Sequence, residues 1–156
     1  MRIPEQRVVV TGIGVVTPVG TGREQFWKAI LAGECGIRPV RAFDTSGYAA
    51  HLGAEVLDFT AAPYFERTDP AKMGRASHLA VAAARLAMND SGLPASSLDP
   101  QRTGVSMGTT SGEAEFIEQF NDIRKQTSDE NVAGKVLVRY ASHLIPRNIE
   151  IGRAHV

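Results

Sequence analysis

The sequence predicts an α/β domain in which covered strands alternate with packed helices, and three observations predict it. Val8, Val9 and Val10 form a β-branched run without polar alternation, which suits a strand covered on both faces. Thr103-Gly-Val-Ser-Met107 reads as a second buried strand, ending in Gly108 and leading into an amphipathic helix, a strand–turn–helix unit typical of layered α/β folds. Between them, Met73, Ala76, Ala80, Ala83 and Ala87 recur at three and four, a stripe of small side chains that lets another backbone approach a long helix closely.

The valine run exits through Gly12, Gly14, Pro18 and Gly20. Gly12-Ile13-Gly14 after a strand invites a dinucleotide-binding reading. The spacing fails it, because Thr17 stands where a third glycine or alanine belongs and Pro18 where the phosphate-binding helix should already be open. A glycine turn that releases the strand is the simpler reading. Thr21-Gly-Arg-Glu24 has capping-box spacing and predicts a helix starting there. Phe26, Ala29 and Ile30 line its apolar side, Trp27 and Lys28 lie off that line, and Gly33 is placed for a left-handed cap. Cys35 falls in a Gly33-Glu34-Cys35-Gly36 turn with no base nearby in sequence, so it reads as a small loop residue rather than a nucleophile.

From Ile37 to Ala62 the periodicity is poor, and only Gly53 to Leu57 reads as a short strand. Asp69-Pro70 supplies an N-cap and a proline for the first helical position, and the helix can run to Ser91 before Gly92-Leu93-Pro94 stops it. His78 on that helix has no second donor at ligand spacing, and His51 and His143 are equally isolated, so no metal site is expected. Thr110-Ser-Gly-Glu113 is another capping-box spacing, ahead of Phe116, Ile117, Phe120 and Ile123 on one helical side. Ser111 is displaced from the midpoint that a G-x-S-x-G nucleophile elbow needs. Gln126 to Gly134 reads as a surface loop, Lys135 to Leu144 as either strand or helix, and Ile145-Pro146 as the approach to a helix starting at Arg147.

The chain has 156 residues, with Lys+Arg and Asp+Glu equal at 17 each. That is one domain's length, and the charge balance gives no reason to expect a nucleic-acid or membrane-surface partner. A single cysteine rules out an internal disulfide framework, and no stretch approaches the ~18 apolar residues of a membrane span. Met1 to Gln6 is too polar for a signal-peptide core. A cytoplasmic protein is expected.

The ordered series Val8 to Gly20, Phe26-Trp27-Lys28-Ala29, Leu31-Ala32-Gly33, Gly36-Ile37 and Phe43-Asp44-Thr45 resembles the opening of a β-ketoacyl-acyl-carrier-protein synthase. The resemblance continues through Lys72-Met73, Asn89 to Leu93, Arg102 to Val105, Gly108 to Gly112 and Ile145-Pro146, and so spans Arg7 to Glu150. It implies the thiolase-like layered αβαβα fold, here the first part of its N-terminal half. It further implies a condensing enzyme of fatty-acid or polyketide synthesis, with acyl carrier protein and an acyl thioester as partners, a homodimer at full length, and no cofactor. Thr110, Ser111, Gly112 and Glu113 fall on the segment that borders the acyl-chain pocket in that family, with Ser111 near a pocket-gating position. Lys72 matches a position in the family's carrier-protein patch; a solvated charge at a helix start is the competing reading, and it is preferred for Arg67 and Arg75. The nucleophilic cysteine and the two histidines of the family should lie beyond Glu150, so the segment itself is expected to be inactive and to aggregate through unpaired strand edges. A non-catalytic chain-length-factor-like partner of a synthase is the alternative, and a nucleotide-binding α/β domain a remoter one.

The family pattern breaks after Glu150. Ile151-Gly-Arg-Ala-His-Val156 is what ATC GGA AGA GCA CAC GTC encodes, the start of a widely used sequencing adapter. The expectation is therefore a native segment 1–150 and a non-native tail 151–156, with no role for His155.

Overall fold

The computed structural model describes residues 7–65, 68–126 and 130–153. Arg67 and His155 lie outside them. The element order is β1 (Val16–Thr17), β2 (Gly20–Thr21), α1 (Arg23–Leu31), β3 (Ile37–Pro39), β4 (Leu52–Ala54), α2 (Arg75–Ser91), α3 (Ala114–Gln126), α4 (Glu130–Leu137) and α5 (Leu144–Arg153), with short 3-10 turns at Ala62–Tyr64, Pro70–Lys72, Ala95–Ser97 and Val138–Tyr140. Both sheets are antiparallel two-stranded ribbons: Val16 pairs with Thr21 and Thr17 with Gly20, while Ile37, Arg38 and Pro39 pair with Ala54, Gly53 and Leu52.

The core sits where α5 crosses α2. Ala80, Val81, Ile145 and Ile149 are buried together, with Phe65, Ala76, Ala84 and Val105 packed around them. The small-residue stripe of α2 performs as its spacing predicts. A Cβ on Gly14 would overlap the carbonyl oxygen of Ala83, and one on Gly12 would stand 2.7 Å from the Ser91 nitrogen. The glycine exit therefore lies directly on the α2 backbone at Ala83, Ala87 and Ser91, one position per helical turn. A second reason for those glycines is thus visible: close approach to a helix.

The helix ends also follow their sequence. At the end of α1, Gly33 takes φ 69°, and the Gly33 and Glu34 N–H groups donate to Ile30 and Ala29 carbonyls at 3.0 Å each, the paired bonds of a Schellman motif. α2 stops at Ser91 with Gly92 left-handed at φ 65°. Trp27 is 59% exposed, off the apolar line as expected.

Several expectations are corrected. Val8–Val10 is not a covered strand: the three valines are 97%, 66% and 83% exposed, and no ladder partner faces them among the described residues. Thr103–Met107 is likewise unpaired, with Met107 42% exposed. A β-branched run supplies one side of a ladder only; the other side must come from a distant segment, and these two do not pair with each other. Thr21 does not cap α1. Its N-cap is Gly22, without a side-chain bond, and Gln25 rather than Glu24 reaches back, its Oε1 accepting from Thr21 N–H at 3.3 Å. Asp69 does act as a cap, accepting from Ala71 N–H at 3.0 Å, but of the Pro70–Lys72 turn rather than of α2. Of the expected Gln126–Gly134 loop, residues 127–129 lie outside the described residues and Glu130 to Gly134 is helical, α4 continuing to Leu137, so that the ambiguous Lys135–Leu144 stretch starts as helix and 3-10 turn. α5 begins at Leu144, so Pro146 sits within its first turn, where its missing N–H costs nothing.

Candidate functional site

The approach to α3 carries a network of polar contacts. It contains the four residues 110–113, and the structure places them differently from one another. Thr110 and Ser111 are exposed, their hydroxyls 3.3 Å apart. Gly112 takes φ 61° beneath the Tyr140 carbonyl, where a Cβ would come within 2.6 Å of that oxygen. Glu113 is 2% exposed.

The carboxylate of Glu113 does not cap its own helix in a box with Thr110, as the spacing predicts. It reaches across to α2, where Oε2 accepts from Ala76 N–H and Oε1 from Ser77 N–H, each at 2.9 Å. Glu115 Oε1 takes the preceding amide, Arg75 N–H, at 3.1 Å. The first three amides of α2, orphan donors in any helix, are thus satisfied by two carboxylates, Glu113 just before α3 and Glu115 in its first turn. Sequence spacing missed this because a cap of this kind is made across 36 to 40 residues of chain, whereas capping signals are local. Ser77, fully buried, also receives the Asn148 Nδ2 donor on its Oγ at 2.8 Å, so α2, α3 and α5 meet at one polar knot inside the apolar core.

Lys72 is exposed at the end of the Pro70–Lys72 turn. Two neighbouring cations are engaged in packing instead: Arg75 lies over the Phe59 ring at 5.3 Å and donates to the Val56 carbonyl, and Arg139 lies over the Phe116 ring at 4.1 Å, its Nη2 3.4 Å from the Ala71 carbonyl. The Arg139 contact ties that guanidinium to the turn that carries Lys72, and Lys72 itself is exposed.

Two of the histidines make local contacts. His78 uses Nε2 against the Pro70 carbonyl at 2.8 Å and packs edge-on to Phe65. His51 Nδ1 is 3.2 Å from Thr45 Oγ1. Cys35 is exposed. No group of three potential metal ligands occurs among the described residues, and no helix among them is long and apolar enough to cross a membrane. The Asp44 carboxyl is held below the ordinary carboxylate range, first by the Ser46 backbone N–H and then by the Ser46 hydroxyl.

Known proteins share this fold. The family model described as Beta-ketoacyl synthase, N-terminal domain, matches residues 5–151. A 3-oxoacyl-[acyl-carrier-protein] synthase 2 of Synechocystis is 37% identical over 78% of this chain, and one of Vibrio cholerae is 32% identical over 96% of it. Those matches cover 29% and 36% of the two relatives, so the chain spans about a third of their length. Among solved structures, the ishigamide ketosynthase/chain length factor superposes with a TM-score of 0.84 at 33% identity, covering 93% of this chain and 36% of that one.

Proposed function

This chain belongs to the β-ketoacyl synthase family and carries part of its thiolase-like fold, and from that membership we propose that it is a segment of an enzyme that condenses an acyl thioester with malonyl-acyl-carrier protein. The family match over residues 5–151 carries the reading. In such a condensation a cysteine thiolate takes the acyl group, loss of CO2 from the malonyl thioester generates a carbanion, and backbone N–H groups stabilise the thioester oxyanion.

The segment's share is structural and recognitive. Thr110 to Glu113 border the acyl pocket, and the small polar Ser111 stands where a bulkier apolar side chain would shorten it. Lys72 offers a cation to an acidic carrier protein, which raises the encounter rate and orients the partner. Its exposure beside the anchored Arg139 supports that role. The chain alone is catalytically inactive: its one cysteine, Cys35, is exposed in the turn after α1, and His78 is committed to Pro70. In this reading residues 151–156 are an adapter-derived tail, and the full-length enzyme is a cytoplasmic homodimer.

The test is a protein extended to its relatives' length, assayed for CO2 release from malonyl-acyl-carrier protein. Condensation by the extended protein and none by the 156-residue chain is expected; an extended protein that binds carrier protein without condensing overturns the synthase reading. Lys72→Glu should weaken carrier-protein affinity at low salt, and an unchanged affinity removes Lys72 from the contact. The ketosynthase/chain length factor likeness favours one second reading, a non-catalytic subunit of a heterodimer. The natural gene extended past Glu150 discriminates, since a synthase places a cysteine at the start of the next helix and a chain-length-factor subunit does not.

A further inference from the structure

The turn at 110–112 has only weak anchors of its own. Gly112 N–H lies 3.4 Å from Thr109 Oγ1, and Glu113 N–H lies 3.5 Å from the Tyr140 carbonyl, both at the long limit for a hydrogen bond. One residue further on, the Glu113 carboxylate makes two bonds of 2.9 Å to the Ala76 and Ser77 amides, at the positive end of the α2 dipole. The receiving side is shaped for it. Gly74, the α2 N-cap, has no side chain to offer as a cap, and a Cβ there would overlap Glu113 Oε2 and stand 2.6 Å from its carboxyl carbon.

We propose that Glu113 is a positioning residue: anchored in the first turn of α2, its carboxylate fixes the pose of the Thr110–Gly112 turn and so the reach of Ser111 into the acyl pocket. The inference rests on the pocket reading of the preceding subsection and adds what holds the pocket border in place. A charge-assisted pair of bonds outweighs the turn's own long contacts, so the turn follows α2 rather than its local sequence.

Glu113→Gln is the sharp variant, because it keeps the shape while setting an NH2 donor against one of two N–H donors. In the full chain, amide exchange at Ala76 and Ser77 should quicken about tenfold, the size expected for hydrogen bonds to a charged group. Gly74→Ala should displace the carboxylate from the other side and reproduce the effect without altering charge, which keeps the inference testable if Glu113→Gln fails to fold. In the protein extended to its relatives' length, both variants should broaden the distribution of acyl chain lengths accepted, whereas Ser111→Phe should shorten it. Unchanged exchange in both variants overturns the clamp. Quickened exchange with an unchanged chain-length distribution, while Ser111→Phe still shifts it, overturns the positioning role and leaves the pocket reading intact. If Ser111→Phe is also without effect, the pocket reading has failed and the positioning role falls with it.

Discussion

Gly14 faces Ala83 across a gap too small for any side chain: a Cβ on Gly14 would overlap the Ala83 carbonyl oxygen and stand 2.5 Å from the Ala87 nitrogen. The obstruction is helix backbone, which cannot swing aside as a flexible side chain could. Gly14→Ala should therefore destabilise by roughly 1–3 kcal/mol or more, the range for overpacking a filled site. Gly53→Ala is the control, because its would-be Cβ meets only the Val40 side chain at 2.9 Å. Limited proteolysis of both variants checks the difference, and equal resistance would refute the close-approach account.

The same loop is held by a carboxylate. Asp90 Oδ2 accepts from Ile13 N–H at 2.9 Å while Oδ1 pairs with Arg23 at 2.6 Å. The Arg23 side chain is 57% exposed and Asp90 only 17%, so screening leaves the ion pair worth about 0–1 kcal/mol, and the bond to the amide contributes more. Asp90→Ala should speed exchange at the Ile13 amide more than Arg23→Ala does. The reverse order would show that the ion pair is the main restraint.

At the core, Ile145→Ala should cost roughly 2–5 kcal/mol, since Ile145 is fully buried between α2 and α5. Ser77→Ala should cost about 1–3 kcal/mol by leaving the Asn148 amide donor unpaired in a half-buried setting. Restoring stability in the double variant Ser77→Ala/Asn148→Leu, measured by thermal melting of the protein extended to its relatives' length, is the expected sign that the single cost is an orphaned donor; no recovery would assign it to lost packing.

Val8, Val9 and Val10 leave a bare β-branched edge of the kind that pairs between molecules. The 156-residue chain should elute above its monomer mass, and Val9→Lys should lower the associated fraction. A sharp melting transition from a soluble wild-type monomer would contradict this.

Asp44 supplies a pH signature. Its carboxyl titrates below the ordinary range because the folded turn presents the Ser46 N–H and hydroxyl to the charged form. A group depressed on folding contributes stability at pH above its unfolded value, and that contribution disappears as pH falls through the folded value. An NMR titration of Ser46→Ala should show the Asp44 midpoint move up part of the way, since the backbone N–H, the larger cause, remains. A midpoint that does not move would exclude the hydroxyl.

How far the sequence was legible depends on the range over which each signal acts. Gly33 and Gly92 could be read as helix stops because a left-handed cap is completed by the residues around it. The α2 stripe could be read because 3.6-residue periodicity is intrinsic to one helix. Glu113 was legible only as a residue at capping spacing; the helix it caps begins 38 residues earlier at Arg75, and no local pattern encodes that partnership. Val8–Val10 had strand composition, but pairing is a property of two segments.

By itself, the sequence determined the family, the end of the long helix at Ser91 though not its start, and the demand for glycine where a backbone must come close. Only the tertiary structure decided that the glycine exit lies on Ala83 and Ala87, that Glu113 and Glu115 cap the start of α2, and that the valine run stands unpaired. Those outcomes depend on which distant backbone groups meet, and orphan amides and strand edges accept whichever partner the packing of the apolar core brings within bonding distance.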